Sequence, residues 1–130
     1  DQAQDLEEGS SIAIFSCYED PAAAATPPRK LVVEAKEPGG DRFEIPLAHC
    51  SVVVFSVAAN RRFRHTIVLD TAARPADNRW LGVTFRTSRT FVHGAHGRAV
   101  LESGAPLALA NTEQRRNIFA LRRRENEGTD

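Results

Sequence analysis

Six short runs rich in β-branched and aromatic residues, each closed by turn chemistry, constrain this chain more than any other feature. Residues 11–17 (SIAIFSC), 30–35 (KLVVEA), 42–47 (RFEIPL), 51–57 (SVVVFSV), 65–69 (HTIVL) and 80–88 (WLGVTFRTS) carry the Val, Ile, Phe and Thr that suit a pleated surface. Six short strands predict an all-β barrel or sandwich. Glu37-Pro38-Gly39-Gly40-Asp41 joins the second run to the third as an antiparallel hairpin loop. Residues 21–28 (PAAAATPP) read as a surface insertion whose prolines favour extended backbone, and residues 70–78 as a polar loop. After Val92 the pattern changes. Residues 93–97 (HGAHG) read as a flexible loop, and Gly104-Ala105-Pro106 is a second break. Thr112, with Gln114 and Arg115 behind it, marks a helix start, and the pattern predicts a helix over 113–125. Its Ile118, Phe119 and Leu121 share a face, and Arg122–Arg124 suits the negative end of the helix dipole. That helix is expected to cover the open end of the barrel, with Phe119 and Leu121 inward.

Composition narrows the functional classes. A chain of 130 residues with 42% hydrophobic side chains is one domain or part of one, long enough to bury a core. No apolar run approaches the length needed to cross a bilayer, and no signal peptide opens the chain, so an intracellular location without membrane contact is the expectation. The chain starts on Asp and contains no Met, which reads as a segment of a longer polypeptide. Two cysteines are too few for a disulfide framework, and Cys17 and Cys50 read as small buried hydrophobes without redox work. The zero net charge conceals a split: residues 1–60 hold 4 basic and 10 acidic side chains, residues 61–130 hold 13 and 7. Fifteen of the 17 basic residues are Arg, whose planar fork matches carboxylate or phosphate. An anionic ligand or a nucleic acid is one reading of that excess, and genomic base composition is the other.

Two residues stand out as carriers of chemistry. On a strand over 80–88, Trp80, Gly82, Thr84 and Arg86 face one way and Leu81, Val83 and Phe85 the other. An Arg86 directed into a barrel needs a bidentate anion, because an unpaired buried charge costs several kcal/mol; on the surface it makes an ordinary ion pair. His65 opens its strand directly after the polar turn Asn60-Arg61-Arg62-Phe63-Arg64, at a strand end where metal ligands can converge. His49 and the loop pair His93 and His96 compete for that role, and hydrogen-bonded structural histidines are the alternative for each.

Together these pieces resemble one family. The order Pro46-Leu47-Ala48-His49, Ser51-Val52-Val53-Val54-Phe55, polar turn, His65, loop, Thr84-Phe85-Arg86 is similar to the C-terminal part of the AlkB-like 2-oxoglutarate- and Fe(II)-dependent oxygenases. At the N-terminus, Asp1 followed by Asp5-Leu6-Glu7-Glu8-Gly9-Ser10-Ser11-Ile12-Ala13 resembles the stretch that follows the family's metal-binding His-X-Asp. The resemblance covers about residues 1–90. It implies a double-stranded β-helix, or jelly roll, incomplete at its N-terminus, with residues 1–92 in the oxygenase domain and 93–130 as a loop and helix extension. It implies Fe(II) held by Asp1, His65 and a His two residues upstream of Asp1, and 2-oxoglutarate held by Arg86 with Thr84 or Ser88. The implied activity is hydroxylation of a methyl or similar carbon, extending to oxidative demethylation of nucleic-acid bases, with a protein side chain as another substrate class. Arg61, Arg62 and Arg64 would then hold a phosphate backbone. The sequence departs from the family at Trp80 and Gly82, where the AlkB-like pattern usually has Arg and Asn. Arg79 is adjacent but belongs to the other face of a regular strand. The rival reading from another class is a non-catalytic jelly-roll module that binds nucleic acid or protein.

Overall fold

Strict alternation organises the first strand, β1 (Ser11–Tyr18), in which Ile12, Ile14, Ser16 and Tyr18 are buried and the residues between them are not. The computed structural model describes residues 5–22, 27–69, 78–95 and 97–127. Its other elements are β2 (Arg29–Ala35), β3 (Arg42–Pro46), β4 (Ser51–Ser56), α1 (Val57–Arg62), β5 (Phe63–Leu69), β6 (Trp80–Phe85), β7 (Val92–Ala95), β8 (Arg98–Leu101) and α2 (Thr112–Glu127). The molecule is therefore mostly antiparallel β-structure with a C-terminal helix.

The strands form sheets of order β4-β1-β6 and β3-β2-β5 and a separate β7-β8 hairpin. In the first sheet Ile12 pairs with Phe55 and Ile14 with Val53 on β4, while Ile14 pairs with Thr84 and Ser16 with Gly82 on β6. In the second, Leu31 pairs with Ile45 and Ile67, and Val33 with Phe43 and His65. Directly opposite residues share a face, so this register fixes which side chains face the core. Ile14 of the first sheet packs with Leu31 and Val33 of the second and with Leu47, and Ile45, Val53, Phe55, Phe63 and Trp80 close around them. A smaller cluster of Leu6, Ile12 and Val57 seals one end. The opposite face of the first sheet is apolar as well, and Val52, Val54, Leu81 and Phe85 are each more than half exposed there. A patch of that kind exceeds the scattered apolar residues of an ordinary surface.

Several expectations change. The polar turn before His65 is helix α1, capped by Ser56, whose Oγ accepts from Ala59 N–H at 3.0 Å. Strand β5 therefore starts at Phe63. Strand β6 ends at Phe85, after which Glu7 N–H donates to Thr87 O at 3.0 Å and Leu6 bridges to Ser88. In place of a flexible loop from His93, Val92–Ala95 pairs with Arg98–Leu101, and Gly97 before the second strand has a φ of 73°, which suits a residue without a β-carbon. Helix α2 begins at Thr112, and its capping residue is Asn111 rather than Thr112. Asn111 Oδ1 accepts from Gln114 N–H at 2.8 Å and Gln114 Oε1 accepts from Asn111 N–H at 2.9 Å, a reciprocal capping box. Nor does α2 turn its apolar face inward, since Phe119 is 73% exposed and Leu121 47%. With only three large apolar residues in sixteen, it has too narrow a stripe to bury. Within the insertion and the long loop, residues 23–26 and 70–77 lie outside the described residues.

Candidate functional site

His65 sits mid-strand in β5, opposite Val33, on the face turned toward the first sheet. Its ring stacks on Phe55 of β4, with centroids 4.2 Å apart and planes 9° from parallel, so the pair bridges the two sheets. Burial pushes its imidazole down to about pH 4, which keeps it neutral with a lone pair available. His65 Nδ1 is buried and has no hydrogen-bond partner among the described residues.

The pairing of Phe55 with Ile12 and of Ala13 with Phe85 brings Arg86, the residue after β6, level with the same row. Two strand spacings separate Phe55 from that position, roughly 10 Å. His65 and Arg86 thus lie level with one another at one end of the two sheets, His65 between them and Arg86 exposed. Thr84 lies next along the same face, half-buried opposite Ile14. Ser88, by contrast, is exposed and bridged to Leu6 beyond the end of β6. Asp1 lies outside the described residues.

On the inward face of the first sheet, the buried Ser16 Oγ, Tyr18 OH and Trp80 Nε1 also lack hydrogen-bond partners among the described residues. The register puts all three residues on the inward face of the first sheet, with Tyr18 opposite Trp80 and Ser16 opposite Gly82. An unmet buried donor or acceptor costs about 1–3 kcal/mol, so a row of them marks a place where a polar group from outside the chain fits. The two departures from the family pattern prove to be one feature, because the Trp80 indole lies flat across Gly82, where any β-carbon would collide with the ring. Gly82→Ala is therefore expected to cost about 1–3 kcal/mol in urea unfolding through overpacking. In a Trp80→Ala background the same change should cost little; an equal loss in both backgrounds would contradict this packing.

Arg79 does not turn inward to replace a missing cation. It is held by Glu19, its Nε donating to Oε2 at 2.7 Å and its Nη2 to Oε1, and this pairing keeps the Glu19 carboxyl below the usual range. The inward arginine that sequence patterning missed is Arg29, which opens β2 in phase with Leu31 and Val33 and lies 5.3 Å over the Trp80 ring. Its position directly after Pro27-Pro28 disguised it as loop.

The arginine cluster is dispersed by the helix. Arg61 pairs with Glu8 at 3.2 Å, and Arg62 covers the Phe63 ring at 5.8 Å. Arg64 alternates with His65 and so faces the other way, where it lines an open groove of about 450 Å³ with Phe119, Arg122, Arg123 and Glu127 of α2. His93 is exposed on β7, and His96 lies outside the described residues. His49 is a structural cap: its Nδ1 accepts from Tyr18 N–H at 3.1 Å, just past the last β1–β4 pair, Ser16 with Ser51. The cysteines are not buried hydrophobes. Cys17 is half-buried and Cys50 exposed, and both thiols are free.

Comparison with protein-family models, with characterised proteins and with solved structures finds no match. Among the described residues, no helix is long and apolar enough to cross a membrane.

Proposed function

We propose that this chain is the C-terminal part of a 2-oxoglutarate- and Fe(II)-dependent oxygenase of AlkB-like type, folded as a jelly roll. The observation that carries the reading is the buried His65 imidazole, whose Nδ1 has no hydrogen-bond partner among the described residues, at the end of the two sheets that is level with Arg86. A neutral, buried imidazole suits a metal, and an arginine fork level with it suits a carboxylate of a dicarboxylate. The strand plan supports it too, since the chain alternates between two antiparallel sheets enclosing one core, as a double-sheet jelly roll does.

In this reading Asp1, His65 and a His two residues before Asp1 hold the iron. Bound iron with the keto acid supplies the oxidation of a substrate C–H bond. The chain's own work is to bind, orient and exclude water. Stacking on Phe55 fixes the His65 ring, and burial keeps it unprotonated. Arg86 pairs with a carboxylate of 2-oxoglutarate, and Thr84 and Ser88 lend hydroxyls; Arg29 and Trp80 lie toward the other end of the sheets. Arg61 is paired with Glu8, Arg62 covers Phe63 and Arg64 faces away from His65, so the three do not form one phosphate-binding surface beside the iron; a methylated nucleic-acid base is the substrate class to test first. The assay is release of succinate from 2-oxoglutarate with Fe(II), in the polypeptide that carries the segment before Asp1. Succinate release with a methylated oligonucleotide supports the reading; none from a folded, iron-supplied protein favours a non-catalytic jelly-roll module. One observation leans toward that second reading: the Trp80 ring occupies part of the inner face.

A further inference from the structure

Away from the inter-sheet space, the end of β1 meets the turn between β3 and β4 at three soft donor atoms. Cys17, His49 and Cys50 each present one, and all lie within 4.8 Å of one another. Cys17 Sγ stands 3.9 Å from His49 Nδ1. For comparison, a sulfur and a nitrogen held tetrahedrally by zinc, at about 2.3 and 2.1 Å, are about 3.6 Å apart. The three side chains can therefore close on one ion by small rotations, without backbone movement.

The imidazole is already in the tautomer such an ion needs. Because His49 Nδ1 accepts the Tyr18 N–H, the ring proton resides on Nε2 and the Nδ1 lone pair is directed at that amide, with the Cys17 thiol 3.9 Å away. An ion at Nδ1 takes that lone pair from an amide that lies beyond the β1–β4 ladder. The turn is pinned as well. Ser51 donates to Ala48 O through both its N–H, at 3.3 Å, and its Oγ, at 2.7 Å, and Cys50 is held at φ 53°, a conformation that residues with a β-carbon seldom adopt. Cys50 is exposed, so an ion and a solvent ligand can reach the site. Cys17 alternates with the inward Ser16 and Tyr18, which sets this cluster on the other side of β1 from His65 and Arg86.

We propose that Cys17, His49 and Cys50 form a three-ligand site for a soft or borderline cation of the zinc class, with its fourth position open to solvent. Two thiolates and an imidazole select such an ion over magnesium or calcium. Binding clamps the end of β1 to the β3–β4 turn and stabilises the fold by mass action.

The test is titration of the reduced, metal-free 130-residue chain with Co(II) as a spectroscopic substitute for Zn(II). One equivalent should produce a thiolate-to-cobalt charge-transfer band and tetrahedral visible bands, both abolished by Zn(II), and saturating Zn(II) should raise the melting temperature by about 5 °C. Cys50→Ser, at an exposed position, should keep the metal-free melting temperature and lose both signals. His49→Gln should weaken binding by about 10-fold or more. Absence of the charge-transfer band, or a band unchanged in Cys50→Ser, overturns the proposal. So does a reduced chain that takes up no Co(II) but closes a Cys17–Cys50 disulfide on addition of oxidised glutathione, which would make the pair a thiol switch instead.

Discussion

His65→Ala is expected to bring succinate release from 2-oxoglutarate to background, and Arg86→Lys to raise the KM for 2-oxoglutarate by about 100-fold with a smaller effect on kcat. The two effects differ in kind because the residues play different parts. His65 offers a buried, neutral imidazole whose Nδ1 is unpartnered among the described residues, so its loss removes a ligand outright. Arg86 to Lys keeps the charge but replaces a two-pronged fork by a point charge. Hydrogen bonds to charged groups contribute about 1.5–3 kcal/mol each, and one lost bond of that size is of the order of 100-fold in affinity. Arg42→Ala supplies the control, since Arg42 is spent on Glu44 at the exposed end of β3. Steady-state kinetics with 2-oxoglutarate as the varied substrate separates these outcomes. An unchanged KM in Arg86→Lys would remove Arg86 from the site.

Leu31→Ala is expected to destabilise the fold by about 3 kcal/mol, enough to unfold a marginal domain at moderate urea. Leu31 is 1% exposed and packs with Ile14 from the facing sheet, with Val33 and with Leu47. Removing three carbons there leaves a cavity that two hydrogen-bonded sheets cannot readily close. Leu109→Ala, at a position 79% exposed, should stay within about 0.5 kcal/mol. Urea unfolding of both variants is the check. A cost below about 1 kcal/mol for Leu31→Ala would mean that the two sheets do not share one core.

The strands were legible where alternation and β-branched content coincided, as in β1, β2 and β4. Helix α1 was hidden because its six residues are too few for a helical period and a strand pattern runs into it. Its one local signal was Ser56 ahead of Val57-Ala58-Ala59. The β7-β8 hairpin was masked by glycines that remove the side chains on which period-two reading depends. On β6 the alternation correctly separated Trp80, Gly82 and Thr84 from Leu81, Val83 and Phe85, yet nothing local told which set faces the core. The apolar set is the outer one, and only pairing with Ile14 and Ser16 reveals it. The same alternation set Thr84 on what proves to be the inner face, but Arg86, expected on the strand, falls after its end and is exposed, and His65, expected at a strand end, lies inside β5 because the strand begins at Phe63. The Cys17 and His49 contact spans 32 residues, so only the fold could bring it into view.

The most direct measurement is anaerobic addition of Fe(II) and 2-oxoglutarate to the polypeptide that carries the segment before Asp1, followed in visible light. A keto acid chelated to Fe(II) gives a metal-to-ligand charge-transfer band without substrate or oxygen. The account predicts that band in the wild type, its loss in His65→Ala, and its appearance only at much higher 2-oxoglutarate in Arg86→Lys. A folded wild type without the band, or the same band in His65→Ala, would contradict it.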